Sequence, residues 1–151
     1  MIEVTYHNDS GYEQWPATRG NHTDPAAIER VNALPECIRE HVWTDDPCWS
    51  YIPDGWVDLV TKLHNALVQV APDYRVSQIK EKFGGLRFYT NIRHVSDSPA
   101  AIIETYYSWM SERTCDVCGE DGKIHGGTGW LSARCEEHRA PLKSNPPKKS
   151  D

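Results

Sequence analysis

The sequence predicts an α+β fold in which helices pack on a small antiparallel sheet and a cysteine-rich module follows at the C-terminal end. Apolar residues recur at intervals of three and four in separate segments, which is typical of helices that cover a core. Two short runs of alternating apolar and polar residues flank Gly84-Gly85, as strands flank a hairpin turn. Beyond residue 114, three cysteines and a histidine fall into two closely spaced pairs.

We expect the chain to divide into three parts. Residues 1–113 form the α+β domain, within which 1–22 are irregular because they are polar and rich in Asn, Gly and His. Residues 114–139 form the cysteine-rich module, packed on that domain. Residues 140–151 are proline-rich and polar, so we expect them to be a disordered tail.

Composition limits the compartment and the kind of partner. The chain has no run of about 18 apolar residues and does not begin with a basic segment followed by an apolar one. We therefore expect a cytoplasmic protein whose five cysteines are metal ligands or buried thiols. The net charge of −6 limits any nucleic-acid-binding surface to a local basic patch, because non-specific DNA-binding proteins are usually basic.

The first two helices have recognisable ends. Asp24 is a suitable N-cap with Pro25 at the first helical position, and Pro35 is expected to split the helix that follows. Asp54 is a suitable cap for the second helix, which ends before Pro72. An apolar stripe on this helix is expected to face the core; its members are Trp56, Leu59, Val60, Leu63, Leu67 and Val70.

A third helix is predicted between the hairpin and the cysteine-rich module. Ser98 is placed to cap it and Pro99 suits its first position. Its core stripe is predicted to comprise Ile102, Ile103, Tyr106, Trp109 and Met110.

The segment KEKFGGLRF sorts its residues into two faces when Gly84-Gly85 is taken as a two-residue turn. Phe83 then lies opposite Leu86, and Lys82 lies opposite Arg87. One face is apolar except for Glu81, and its members are Ile79, Phe83, Leu86, Phe88 and Ile92. The other face is basic and polar; besides Gln78 and Asn91 it carries Lys80, Lys82, Arg87, Tyr89 and Arg93.

The basic face needs a counter-charge, because like charges placed opposite each other on a sheet repel. An internal acid is one candidate, and the available carboxylates are Glu36, Glu40 and Glu104. An external anion is the other, in which case the face is a binding surface with Tyr89 available for stacking. A phosphate-binding loop is a weaker interpretation, because no helix with the required Lys and Ser or Thr follows the glycines.

Four residues in the C-terminal segment have the spacing of a zinc site. Cys115 and Cys118 form a C-x2-C pair, and after sixteen residues Cys135 and His138 form a C-x2-H pair. Two such pairs joined by a short hairpin place four ligands tetrahedrally, as in a closed, structural, zinc-ribbon-like site. Gly119 suits the positive φ that such tight turns require. No coordination position is left open, so we do not expect this zinc to be catalytic.

The sequence assigns no catalytic residues, and it offers two alternative metal sites. A metal-dependent nuclease of the His-Asn-His type needs a further histidine as base, for which only His125 is placed, and no Asn lies between the two pairs. Cys37 and His41 lie one helical turn apart and could join Cys48 in a second site. A buried thiol beside a surface histidine is the more common explanation of that pair.

The string RVSQIKEKFGGLRFY, preceded by GWVDLVTKLHNAL and followed by a helix and SERTCDVCG, resembles a family of small uncharacterised proteins of bacteria, prophages and phages. The similarity covers residues 52–138. The last ligand in that family is often Cys, whereas here it is His138, which zinc also accepts. The resemblance implies the architecture and a viral or prophage context, and it implies no activity.

The sequence therefore favours a non-enzymatic, zinc-stabilised binding protein of phage or prophage origin. We expect it to act in the cytosol, which is the host cytosol if the gene is viral, on a host or phage macromolecule, with a protein as the leading partner. The alternative is binding of nucleic acid or a nucleotide through the basic face of the hairpin. A nuclease is the third hypothesis.

Overall fold

The computed structural model describes residues 25–42, 50–92, 97–126 and 130–139, and within these ranges the chain forms four helices and four strands. The helices are α1 (Pro25–Asn32), α2 (Glu36–Arg39), α3 (Val57–Val70) and α4 (Pro99–Ser111), with a 3-10 turn at Asp54–Trp56. The strands are β1 (Val76–Lys82), β2 (Gly85–Thr90), β3 (Lys123–His125) and β4 (Ser132–Arg134). The α+β prediction is confirmed. The expectations for 1–22, for the cap Asp24 and for 140–151 lie outside the described residues.

Helix α3 provides the centre of the core. Five of the six stripe residues predicted for it are buried: Trp56, Leu59, Val60, Leu63 and Leu67. Val70, in the last turn, is 45% exposed, so its assignment to the core was wrong. Asp54 is not the cap of α3 either, because it opens the 3-10 turn and Trp56 occupies the N-cap position.

Helix α4 begins where the sequence predicts. The Ser98 hydroxyl accepts a hydrogen bond from the Ala101 N–H at 3.2 Å, and Pro99 is the first helical residue. The predicted core stripe is only half right. Ile103 and Met110 pack against the core together with Tyr107. The remaining three predicted residues lie on the outer side of the helix and are about half exposed: Ile102, Tyr106 and Trp109.

Strands β1 and β2 form an antiparallel hairpin whose turn is Phe83-Gly84, with φ of +55° and +79°. Lys82 pairs with Gly85 and Lys80 pairs with Arg87, so the predicted register was wrong. Both central residues of this tight turn have positive φ, as in a type I′ turn. The Glu81 carboxylate accepts from the Gly84 N–H at 2.5 Å, which explains an acid on the apolar face.

The two faces of the hairpin keep their predicted composition despite the register change. Between Gln78 and Lys82 each partner moves by two residues, and because side chains alternate with a period of two, an even shift moves none to the other face. Ile79, Leu86 and Phe88 are buried, and Ile92 packs against the core. Phe83 is the exception, because it lies in the turn and is 67% exposed.

Both outer edges of this hairpin are covered by serine hydroxyls. The Ile79 N–H donates to the Ser50 Oγ at 2.9 Å. On the other edge, the Leu86 N–H donates to Ser111 Oγ at 2.8 Å and Ser108 Oγ donates to the Leu86 carbonyl at 3.1 Å. These bonds satisfy backbone groups that an edge strand otherwise leaves unpaired, and they hold α4 against β2.

A cluster of three polar rings is built into the core beside α3. His64 Nδ1 shares a 2.6 Å hydrogen bond with the Tyr74 hydroxyl, and His41 Nδ1 donates to the Tyr74 carbonyl at 2.7 Å. The His41 ring stacks on Tyr74 with centroids 4.5 Å apart and meets His64 edge-on at 4.9 Å. Burial, followed by the charge of His41, lowers the pKa of His64, while burial raises that of Tyr74.

Gly84→Ala should lower the free energy of unfolding by about 1–3 kcal/mol, because a Cβ at positive φ is strained and would also overlap the Cδ1 of Ile124. Gly85→Ala is the matched control. It lacks a positive φ, and its Cβ would meet only the movable side-chain ends of Glu112 and Arg87, at 3.2 and 3.3 Å. We expect a loss below about 1 kcal/mol there. Urea unfolding followed by circular dichroism measures both; equal losses would contradict this assignment of the turn.

Protonation of His64 should destabilise the fold. Because its pKa is lower in the folded state, the unfolded chain takes up the proton first, so the contribution is complete above the ordinary pKa of about 6.5 and is lost as the pH falls below it. Between pH 8 and pH 5.5, His64→Gln should lose less unfolding free energy than the wild type. Lys62→Gln, an exposed change on the same helix, should keep the wild-type dependence. Identical pH profiles for wild type and His64→Gln would rule out this role.

Candidate metal centre and hairpin surface

The first ligand pair lies in a tight loop directly after α4. The Cys115 N–H donates to the Glu120 carbonyl at 2.8 Å, and the Gly119 N–H donates to the Cys115 carbonyl at 2.9 Å. Gly119 has φ of +80°, as the spacing predicts. The loop thereby turns the Cys115 and Cys118 side chains toward the same point.

The second pair follows the short hairpin of β3 and β4, in which Ile124 pairs with Ala133. Cys135 comes directly after β4, and His138 closes the turn that follows. Two contacts tie this hairpin to the first loop. The Asp116 N–H donates to the Ala133 carbonyl at 2.9 Å, and the Asp116 carboxylate forms an ion pair with Arg134 at 2.5 Å.

The four predicted ligands meet, with their ligand atoms all within 4.8 Å of one another. The Sγ atoms of Cys118 and Cys135 are 3.7 Å apart, and His138 Nδ1 lies 3.7 Å from Cys115 Sγ and 3.2 Å from Cys135 Sγ. Around a tetrahedral ion with bonds of about 2.0–2.3 Å, neighbouring ligand atoms lie about 3.4–3.8 Å apart. Two of the three separations given fall in this range, and all four ligand atoms are close enough together to hold one metal ion.

The thiols of this cluster influence one another. Burial raises the pKa of Cys115, but backbone hydrogen bonds from Cys135, Cys118 and Val117 outweigh burial and bring it to about 6. At Cys118 a backbone hydrogen bond from Glu120 lowers the pKa, yet burial and the two neighbouring thiols raise it to about 11. One thiolate thus suppresses ionisation of the next, and a cation held by these residues would remove that conflict, because it would bind each sulfur as thiolate.

The first loop of the site packs directly against the main core. A Cβ on Gly55 would overlap the Cys115 carbonyl oxygen and would lie 2.7 Å from the Gly119 nitrogen. The Gly55 N–H donates to the Asp116 carbonyl at 3.0 Å, and the buried Trp56 indole N–H donates to the Thr114 carbonyl at 2.8 Å. Only glycine permits this approach, a role that sequence reasoning did not assign to Gly55.

Among the described residues, the structure does not bring the ligands of the alternative metal sites together. In the described part of the chain, only the four residues above form a group of three or more side chains that could hold a metal. His125 lies on β3 with its Nε2 buried and without a hydrogen-bond partner. His41 uses Nδ1 to bind the Tyr74 carbonyl, and Cys48 lies outside the described residues.

The basic face of the hairpin, which we call the hairpin surface, comprises Lys80, Lys82, Arg87 and Tyr89; Arg93 lies outside the described residues. The opposed like-charged pair is Lys80 and Arg87, not Lys82 and Arg87 as the predicted register required. Lys80 Nζ lies 5.4 Å from the centre of the Tyr89 ring. Within the described ranges neither lysine forms an ion pair with an acid.

Helix α4 supplies the acids that border this surface. Glu112, the residue after α4, was not among the candidates named from the sequence; its carboxylate and the Arg87 guanidinium would lie 3.2 and 3.3 Å from a Cβ placed on Gly85. Glu104, which was named, accepts a hydrogen bond from the Thr90 hydroxyl at 2.9 Å. These acids therefore border the hairpin surface on the side of Arg87, whose guanidinium donates to the Leu86 carbonyl at 3.2 Å, and they form no ion pair with Lys80 or Lys82 within the described residues.

A groove of about 370 Å³ separates β2 from α4, lined by Arg87, Tyr89 and Trp109 among others. The Arg113 guanidinium stacks on the Trp109 ring, 3.6 Å from its centre. Cations and exposed aromatic rings are therefore adjacent along the hairpin surface and its border with α4.

No protein-family model, curated protein or solved structure matches this chain. Among the described residues, none of the helices has the length and apolar character needed to cross a membrane.

Proposed function

We propose that this protein is a non-enzymatic binding protein in which a structural zinc ion, held by Cys115, Cys118, Cys135 and His138, keeps the β1–β2 hairpin in place as the contact surface for a macromolecule. The convergence of these four ligand atoms within 4.8 Å of one another is the observation that carries the proposal. We propose a phage or prophage origin, on the resemblance of the hairpin and cysteine motifs alone, and action in the host cytosol.

The chemistry of the ligands supports zinc. Three thiolates and an imidazole are soft and borderline donors, and a set of four such donors is typical of structural zinc. All four positions are filled by protein, which leaves none for a substrate or a reactive water. Binding of such an ion contributes on the order of 10 kcal/mol to folding, a large term for a segment whose apolar residues are few.

The contact between Gly84 and Ile124 connects the proposed zinc site to the hairpin. The turn glycine Gly84 packs against the Ile124 side chain and faces the Ser132 backbone, so β3 and β4 support the tip of the β1–β2 hairpin. Removal of the metal therefore withdraws the support from beneath the hairpin surface.

The charge distribution favours the hairpin surface over the cysteine-rich module as the binding site for an anionic partner. Lys80 and Lys82 are not neutralised by acids of the described chain. Beside the exposed Cys118, in contrast, a cavity of about 510 Å³ is lined by several acids: Asp54, Asp58, Glu120 and Asp121. A protein with an acidic segment fits the hairpin surface. Nucleic acid is the second candidate, favoured by the exposed Tyr89 ring among the cations.

Purified protein should contain one zinc ion per chain by elemental analysis, and a chelator should lower its melting temperature. Cys135→Ser should abolish stoichiometric zinc and destabilise the fold, because one ligand is lost. Cys37→Ser is the control, since this thiol is outside the cluster and should leave the zinc content at one. A wild-type protein that is metal-free and equally stable in chelator would refute the proposed zinc.

A bacterial lysate passed over immobilised protein should yield a partner that the double variant Lys80→Gln, Lys82→Gln fails to capture. Lys62→Gln removes an exposed lysine of α3 and should capture it as the wild type does. Prior nuclease treatment of the lysate separates the candidates, because it abolishes capture through nucleic acid and spares capture of a protein. Identical capture by all three proteins would exclude the hairpin surface as the contact site.

A further inference from the structure

Phe83 occupies a position that the local backbone disfavours. It is the first residue of the turn and has φ of +55°. A bulky residue at positive φ is strained, and tight hairpin turns of this type favour Asn, Asp or Gly there. Phe83 therefore lies at a position where Asn, Asp or Gly would relieve the backbone strain of the positive φ.

The strain is not offset by burial. The Phe83 side chain is 67% exposed. The Lys82 ammonium lies 5.4 Å from the centre of its ring. Residues that break a local rule without an internal gain are the ones for which a functional role is the better explanation.

The neighbours of the ring define the chemistry of a ligand. Two unpaired lysines, Lys80 and Lys82, lie on the adjoining strand, and Arg87 lies across from Lys80. Tyr89 is the second exposed ring of this surface. It lies about 13 Å from the turn, because four residues of β2 separate it from Gly85 at roughly 3.3 Å per residue. Exposed rings that alternate with cations are the pattern by which proteins hold single-stranded nucleic acid, since bases stack on the rings and phosphates meet the cations.

We propose that Phe83 is a stacking residue at the tip of the hairpin surface and that its ligand is single-stranded nucleic acid, with Lys80, Lys82 and Arg87 facing the phosphates. This inference rests on the proposed role of the hairpin as a contact surface and selects the second of the two partner classes. The exposed Phe83 ring is the reason for that selection, because an aromatic ring held in solvent beside cations can stack on a base.

The test uses fluorescein-labelled 20-nucleotide single strands of mixed sequence, one DNA and one RNA, with binding followed by fluorescence anisotropy at low and moderate salt. Phe83→Asn should bind at least one strand about tenfold more weakly than the wild type. Its melting temperature should equal or exceed that of the wild type, because Asn tolerates the turn conformation. Phe83→Trp, which keeps a stacking face, should retain binding.

Three results would overturn the inference. A lower melting temperature for Phe83→Asn would make the ring a structural element. Unchanged affinity of that variant, together with weakened binding by the Lys80→Gln, Lys82→Gln double variant, would remove Phe83 from the contact and leave the proposed function standing. Absence of wild-type binding to both strands would reject nucleic acid as the ligand; capture of a nuclease-resistant partner through the same lysines would then still support the hairpin surface.

Discussion

The loop that carries Cys115 and Cys118 approaches Gly55 closely, and the arrangement of the molecule depends on this contact. A side chain at this position would overlap the Cys115 carbonyl, so the loop and the start of α3 are in backbone contact. The adjacent Trp56 is fully buried and donates its indole N–H to the Thr114 carbonyl. The loop that carries Cys115 and Cys118 is therefore in direct contact with the main core, and loss of its conformation would remove contacts at the start of α3.

A series of contacts connects this loop to the β1–β2 hairpin. The pairing of Asp116 with Ala133 and Arg134 fixes β4 beside the first loop. Ile124 on the neighbouring strand then supports the Gly84 turn. On the opposite side, the serine hydroxyls of α4 bind the backbone of Leu86. The hairpin is thus held from two sides, while Lys82 and Tyr89 on its basic face are exposed.

Patterns that repeat within one segment were predictable. The stripe of α3, the Ser98 cap and the composition of both hairpin faces follow from local periodicity and local hydrogen bonding, which a sequence displays directly. The hairpin register was not predictable, because two adjacent glycines allow the turn at either of two positions. The structure places the turn at Phe83-Gly84, and Gly84 lies against Ile124, a residue forty positions away. The outward orientation of Trp109 on an apolar helix was likewise decided by neighbouring elements.

The paired spacing of Cys115, Cys118, Cys135 and His138 determined by itself which side chains could meet, because ligands two residues apart in tight turns leave few other arrangements. The sequence also determined that the hairpin has one basic face, since alternation along a strand survives an even change of register. Only the tertiary structure decided that the loop with Cys115 and Cys118 lies against Gly55 and that Phe83 is exposed in a turn with positive φ. Both depend on contacts between segments distant in the chain, and no local pattern encodes such contacts.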